Sequence, residues 1–216
     1  MKQTEARPQT LGEEIANSVS HSAGFVLALI GAGVFISLMR RGDASVAGIG
    51  LGIAVYIASM LALYSMSAIY HALPNGRVKR VFMKLDYCAI YIFIAGTYTP
   101  FAIRLLPARS GTLLLIGIWT MAALGLLLQA LGRLAHPLLS TGLYLLMGWI
   151  GVLVAGPMIA LLPVAALAWL LAGGLCYTGG VAFFLLDSRL KYAHLVWHLF
   201  VLAGSVCHFI AIAVSA

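Results

Sequence analysis

Two histidines near the end of the chain stand four residues apart, in Tyr192-Ala193-His194-Leu195-Val196-Trp197-His198. On a helix, positions i and i+4 share one face, one turn apart. That spacing lets a single helix offer two imidazoles to one metal ion, although the pattern also arises by chance. His71 adds weight to it, at the end of Ser67-Ala68-Ile69-Tyr70-His71. Three histidines with an open fourth position are the donor set of catalytic zinc, whereas structural zinc sites close all four positions. Ser67 lies one turn before His71 on the same face. Asp86 follows in Lys84-Leu85-Asp86-Tyr87. A carboxylate there could ligate the metal or hold a water on it. It could equally cap a helix or pair with Lys84 or Arg80.

The elements that carry these residues follow from composition. Of 216 residues, 62% are hydrophobic and 9% charged, where a soluble domain carries about 25% charged. The mean hydropathy is +1.04. So little polar surface cannot coat a water-soluble globule, and lipid must solvate most of this chain. A membrane-spanning helix needs about 20 apolar residues, so seven helices use about 140. Short loops and an N-terminal tail remain, with no room for a separate soluble domain. A transmembrane β-barrel would need short alternating strands, and the apolar runs here are long and continuous. The expected fold class is an all-α membrane protein, a seven-transmembrane helix bundle. The expected helices cover residues 22–39, 44–70, 85–106, 111–131, 138–155, 163–186 and 192–214. Gly156-Pro157 and Pro163 break one long apolar stretch, which is read as two helices joined by a tight loop. Residues 1–21 are expected to form an N-terminal cytoplasmic or interfacial segment, and 22–216 the transmembrane domain. Glu5, Glu13 and Glu14 and the lack of an early apolar core argue against a cleavable signal peptide.

Charge sets the expected orientation. Lys2, Arg7, Arg77, Lys79, Arg80, Lys84, Arg133, Arg189 and Lys191 fall on the N-terminal side of the seven helices, and Arg40, Arg41, Arg104 and Arg109 on the other. The positive-inside rule then puts the N-terminus in the cytoplasm and the C-terminus outside. The net charge of +7 reads as loop charge facing anionic lipid, and no nucleic-acid partner is expected.

With that orientation, His21, His71, Asp86, His194 and His198 all come to the cytoplasmic face, from four separate elements. Ionisable groups at membrane depth are expensive and mark function. The stretch Glu13-Glu14-Ile15-Ala16-Asn17-Ser18-Val19-Ser20-His21 is dense in polar groups. It reads either as an interfacial helix or as a flap that lends Glu14, Asn17 or His21 to the site from behind the ligands. His208 lies about 15 Å deeper than His198, too far to share its metal, and suits a buried hydrogen bond or a second polar site. His136 reads as a loop residue. Cys88, Cys176 and Cys207 are odd in number and scattered, so no disulfide framework is implied. Gly48 and Gly52, and Gly173, Gly174, Gly179 and Gly180, read as helix-packing positions.

These segments together resemble the bacterial hemolysin III proteins. The resemblance rests on Glu14-Ile15-Ala16-Asn17-Ser18-Val19-Ser20-His21-Ser22-Ala23-Gly24, on the Ser67 to His71 and Lys84 to Tyr87 segments, and on His194-Leu195-Val196-Trp197-His198-Leu199-Phe200-Val201. That group belongs to the progestin and adiponectin receptor family, within a wider set that includes alkaline ceramidases. The resemblance covers nearly the whole chain. It implies seven helices with a cytoplasmic N-terminus, opposite to G-protein-coupled receptors. It also implies zinc held by His71, His194 and His198, with Asp86 holding the zinc-bound water and Ser67 as the family's serine. The long N-terminal domain of the animal receptors has no counterpart, so adiponectin-type hormone sensing is not implied.

The expectation is a zinc-binding, multi-pass protein of the plasma (inner) membrane that hydrolyses a lipid amide or ester. Asp86 would act as general base and Ser67 would orient water or substrate. Its partner would be a membrane lipid or fatty-acyl ligand. The alternative is a non-enzymatic sensor or regulator of membrane lipid, with structural zinc. A cytolysin or pore former is a third reading, but no row of charges is present to line a wide pore.

Overall fold

A computed structural model describes residues 7–40, 49–105, 108–134 and 137–215, without the side chains of Arg104, Leu105, Ala108 and Pro137. Lys2, Glu5, Arg41, Gly48 and His136 lie outside the described residues. Eight α-helices account for most of it: α1 (Leu11–Arg40), α2 (Gly50–Ala72), α3 (Arg77–Pro100), α4 (Ala108–Ala130), α5 (Pro137–Trp149), α6 (Ala155–Leu161), α7 (Val164–Leu186) and α8 (Ala193–Ser215). A π-helical turn, Phe101–Leu105, extends α3, and a 3-10 turn, Ile150–Val154, joins α5 to α6 as one composite span. There is no strand among the described residues. Seven spans are long and apolar enough to cross a membrane. A helix of 23 residues rises about 35 Å, enough for a hydrocarbon layer of about 30 Å. The expected all-α, seven-span fold class is what the chain adopts.

Two helices start earlier than the hydropathy pattern suggests, for a common reason. In α1 the apolar residues face outward: Leu11, Ile15 and Val19 are exposed, while Glu13, Asn17, Ser20 and His21 are buried. In a bilayer the outward face must be apolar, so averaging along the chain hides a helix whose inner face is polar. Thr10 starts α1. Its backbone N–H and hydroxyl both donate to Glu13 Oε2 at 2.9 Å, and the Glu13 N–H reaches back to the Thr10 hydroxyl at 3.4 Å, a capping box. The polar stretch at 13–21 is therefore the opening of the first spanning helix. Likewise α3 starts at Arg77, with Lys79 buried and donating to the Leu73 carbonyl at 3.1 Å.

The spans form a closed ring in which each packs on the next and α8 returns to α1. Glycines set the close approaches. A side chain at Gly52 would strike the Pro100 backbone, and one at Gly180 would strike Trp197 and Phe200. Ser205 knots three helices together. Its hydroxyl donates to the Val201 carbonyl (2.9 Å) and accepts from Tyr64 (2.7 Å), with the Tyr177 hydroxyl at 3.2 Å; the Tyr56 hydroxyl donates to its backbone carbonyl (3.0 Å).

The expected break between the fifth and sixth spans falls at Leu162 and Pro163, where α6 ends and α7 begins. Gly156 and Pro157 sit in the first turn of α6, a position proline tolerates. The 3-10 turn frees backbone groups at membrane depth, where each must find a partner. Tyr98 supplies it: its hydroxyl donates to the Gly148 carbonyl and accepts from the Gly151 N–H at 3.3 Å. Cys88, Cys176 and Cys207 are unpaired.

Candidate metal centre

One end of the bundle gathers the starts of α1, α3 and α8 and the ends of α2 and α7. His71 comes from the last turn of α2, and His194 and His198 from the first turns of α8. Their ring centroids stand 5.0 Å (His71 to His194), 5.1 Å (His71 to His198) and 4.7 Å (His194 to His198) apart. One donor nitrogen from each lies within 4.8 Å of the others, so the three together could hold a metal ion.

The Nδ1 atom of each ring is already engaged, and the partners fix the tautomers. His71 Nδ1 meets Glu14 Oε2 at 2.7 Å, and His194 Nδ1 meets Asp187 Oδ2 at 3.0 Å. His198 Nδ1 meets the Asn17 backbone carbonyl at 3.2 Å and Ser20 Oγ at 3.0 Å. Ionised carboxylates and carbonyls only accept, so each Nδ1 carries the hydrogen. Ser20 spends its own hydrogen on the Asn17 carbonyl at 2.8 Å, which leaves its oxygen free to accept. Each Nε2 therefore keeps a lone pair. This is the arrangement by which outer partners orient metal-binding imidazoles and raise their basicity. His71 Nε2 is buried and has no hydrogen-bond partner. Leaving such an atom unsatisfied costs about 1–3 kcal/mol, and a cation among the three rings would satisfy it. Neutral imidazoles suit zinc, copper, iron or nickel, so the donor set fits a transition metal.

The surroundings sharpen the picture. Glu14 also pairs with Lys79 Nζ at 2.9 Å, and that ammonium lies 4.8 Å from the centre of the Tyr70 ring. His21 stacks on His198, with centroids 3.5 Å apart and planes 12° from parallel, and both its nitrogens are buried without partners. Asp86 is buried and makes no ion pair with Lys84 or Arg80 among the described residues. Ser67 neighbours it, and the Ser67 hydroxyl has no partner at hydrogen-bond geometry. Ser67, Asp86, His21, His194 and His198 all face one cavity of about 310 Å³, at the small end of the range for ligand sites. Beyond that polar end its wall is mostly apolar, with Phe93, Phe101, Leu114, Met158 and Leu170 among its residues.

Of the residues singled out in the sequence, His71, His194, His198, Asp86, Ser67, Glu14 and His21 converge on this end of the bundle. Asn17 joins through its main-chain carbonyl, while its side chain donates to Gln9 at 2.8 Å. His208 lines the same cavity farther along. Asp187, Ser20 and Lys79 had not been singled out. Asp187 carries a faint signal, an acid in the short link just before the two histidines.

A seven-span, all-helical membrane protein with a three-histidine cluster at one end of the bundle is the class these features define. Within that class the chain belongs to the family described as Haemolysin-III related, whose profile matches residues 9–209. It is 35% identical over 204 residues to Hemolysin-3 of Bacillus cereus, covering 94% of this chain and 92% of that protein. It is 34% identical over 203 residues to the Hemolysin-3 homolog of Bacillus subtilis (strain 168), covering 94% of each. Its similarity extends to the Monocyte to macrophage differentiation factor of Homo sapiens, at 31% over 213 residues, or 94% of this chain and 84% of that one.

Proposed function

We propose that this chain is a zinc-dependent hydrolase of the plasma membrane that cleaves a lipid amide or ester, with its N-terminus and histidine cluster at the cytoplasmic face. The carrying observation is one of placement. Three imidazoles with free Nε2 lone pairs stand beside a buried carboxylate, at the polar end of a cavity lined mostly by apolar side chains. Zinc, when bound, would polarise a carbonyl and lower the pKa of a water toward ~7. His71, His194 and His198 would hold it. Asp86 accepts the proton of the attacking water and returns it to the leaving amine or alcohol. Ser67, beside Asp86 with its hydroxyl unspent, orients that water or the substrate carbonyl. The apolar wall takes the acyl chain and keeps bulk water from the reacting groups.

A second reading has one observation in its favour. The rings and their Nδ1 partners come from α1, α2, α8 and the link before α8, so a metal there would also staple four parts of the chain. Zinc would then be structural in a regulator of membrane lipid. Metal analysis of the purified protein should give about one zinc per chain. Pairing His194→Ala with His198→Ala should remove it, and full retention would overturn the site. Lipid analysis of cells lacking the protein, complemented with wild type or Asp86→Ala, separates the readings. Rescue by wild type alone supports hydrolysis; equal rescue by Asp86→Ala favours the regulator.

A further inference from the structure

The cavity runs past the histidine cluster to a second imidazole. His208 lies ten residues beyond His198 on α8, about 15 Å farther along the helix, and its ring forms part of the same wall. Most residues that line the cavity are apolar, Leu167, Leu170 and Met158 among them. An imidazole at mid-membrane depth is costly to keep and marks function. The bundle makes room for this one. Gly173 on α7 sits where any side chain would collide with the ring, and Tyr177 meets it edge-on at 5.3 Å. The Leu170 backbone lies beside the ring. Nδ1 is buried and has no hydrogen-bond partner. The nearby Tyr177 hydroxyl is already committed to Ser205. One hydrogen-bonding position on the ring is therefore unfilled, and an imidazole nitrogen either donates or accepts according to its tautomer.

We propose that His208 is a second recognition point, which shares a hydrogen bond with a hydroxyl carried midway along an acyl chain whose polar end lies at the histidine cluster. This rests on the reading of the cavity as an acyl-chain site. It makes mid-chain hydroxylated lipids the preferred ligands over their unsubstituted counterparts. The test compares ricinoleate with oleate, which differ by one mid-chain hydroxyl, binding to the purified protein in nanodiscs. Wild type should hold ricinoleate about fivefold more tightly, the worth of one buried hydrogen bond. β-Hydroxystearate, hydroxylated beside its carboxylate, should gain nothing over stearate. His208→Phe, or His208→Leu if the first variant folds poorly, should bind ricinoleate and oleate alike. Equal affinities in wild type, or a preference that survives in either folded variant, would overturn the role of His208 and leave the acyl site standing. If neither fatty acid binds, the acyl-site reading itself falls, and this inference with it.

Discussion

At the scale of single residues, the histidines were legible because their type is rare in lipid and their spacing is helical. Their partners were not. Nothing along the chain says that Asp187 turns back onto His194, since a link between helices has no periodicity to read. Asn17 was legible for its amide, yet the site uses its backbone carbonyl, which every residue owns. If the Nδ1 partners orient the rings, Glu14→Gln and Asp187→Asn should each weaken metal binding by about 10–100-fold, measured by competition with a chelator. Asn17→Ala should leave metal affinity within about twofold, because the carbonyl that holds His198 survives the change. Wild-type affinity in both acid-to-amide variants would mean that packing alone sets the rings.

At the scale of elements, hydropathy located every span but misplaced the ends that carry chemistry. The openings of α1 and α3 are polar on the buried side, so their average hydropathy resembles that of a loop. The split of the fifth span was equally hidden. Gly156-Pro157 and Pro163 signalled the end of the span, which falls at Leu162 and Pro163, but nothing signalled the turn at Ile150–Val154, where Tyr98 from α3 satisfies the backbone. That partnership joins residues fifty positions apart and has no local signature. Tyr98→Phe removes both bonds and leaves the Gly148 carbonyl and Gly151 N–H without a side-chain partner. It should lower stability by about 1–3 kcal/mol, seen as a lower melting temperature in detergent; an unchanged melt would show that the turn satisfies itself.

At the scale of the molecule, the ring is closed by a small ionic clamp. Glu13 takes a two-pronged bond from Arg7 at 2.6 and 2.8 Å and accepts the Tyr192 N–H at 2.9 Å. Arg7 also reaches the Leu190 carbonyl at 3.4 Å. Tyr192 stands in a left-handed conformation, with φ at 59°, so the link before α8 turns sharply where Glu13 holds it. Glu13→Ala should lower the melting temperature and weaken metal binding together, because it removes the bond that ties the link before α8 to α1. A melt that falls while metal affinity stays at the wild-type value would separate the clamp from the site.

The closure also orders events in time. His71 leaves the ribosome more than a hundred residues before His194 and His198, and their supports on α1 are made earlier still. Through most of synthesis the growing chain holds one ligand and a set of waiting acceptors. Three imidazoles meet only after the last helix has entered the bilayer and docked beside the first. Capture of a metal by the three histidines would therefore be a late event, and a chain stalled short of its final helix would be told from a finished one by an ion it fails to retain.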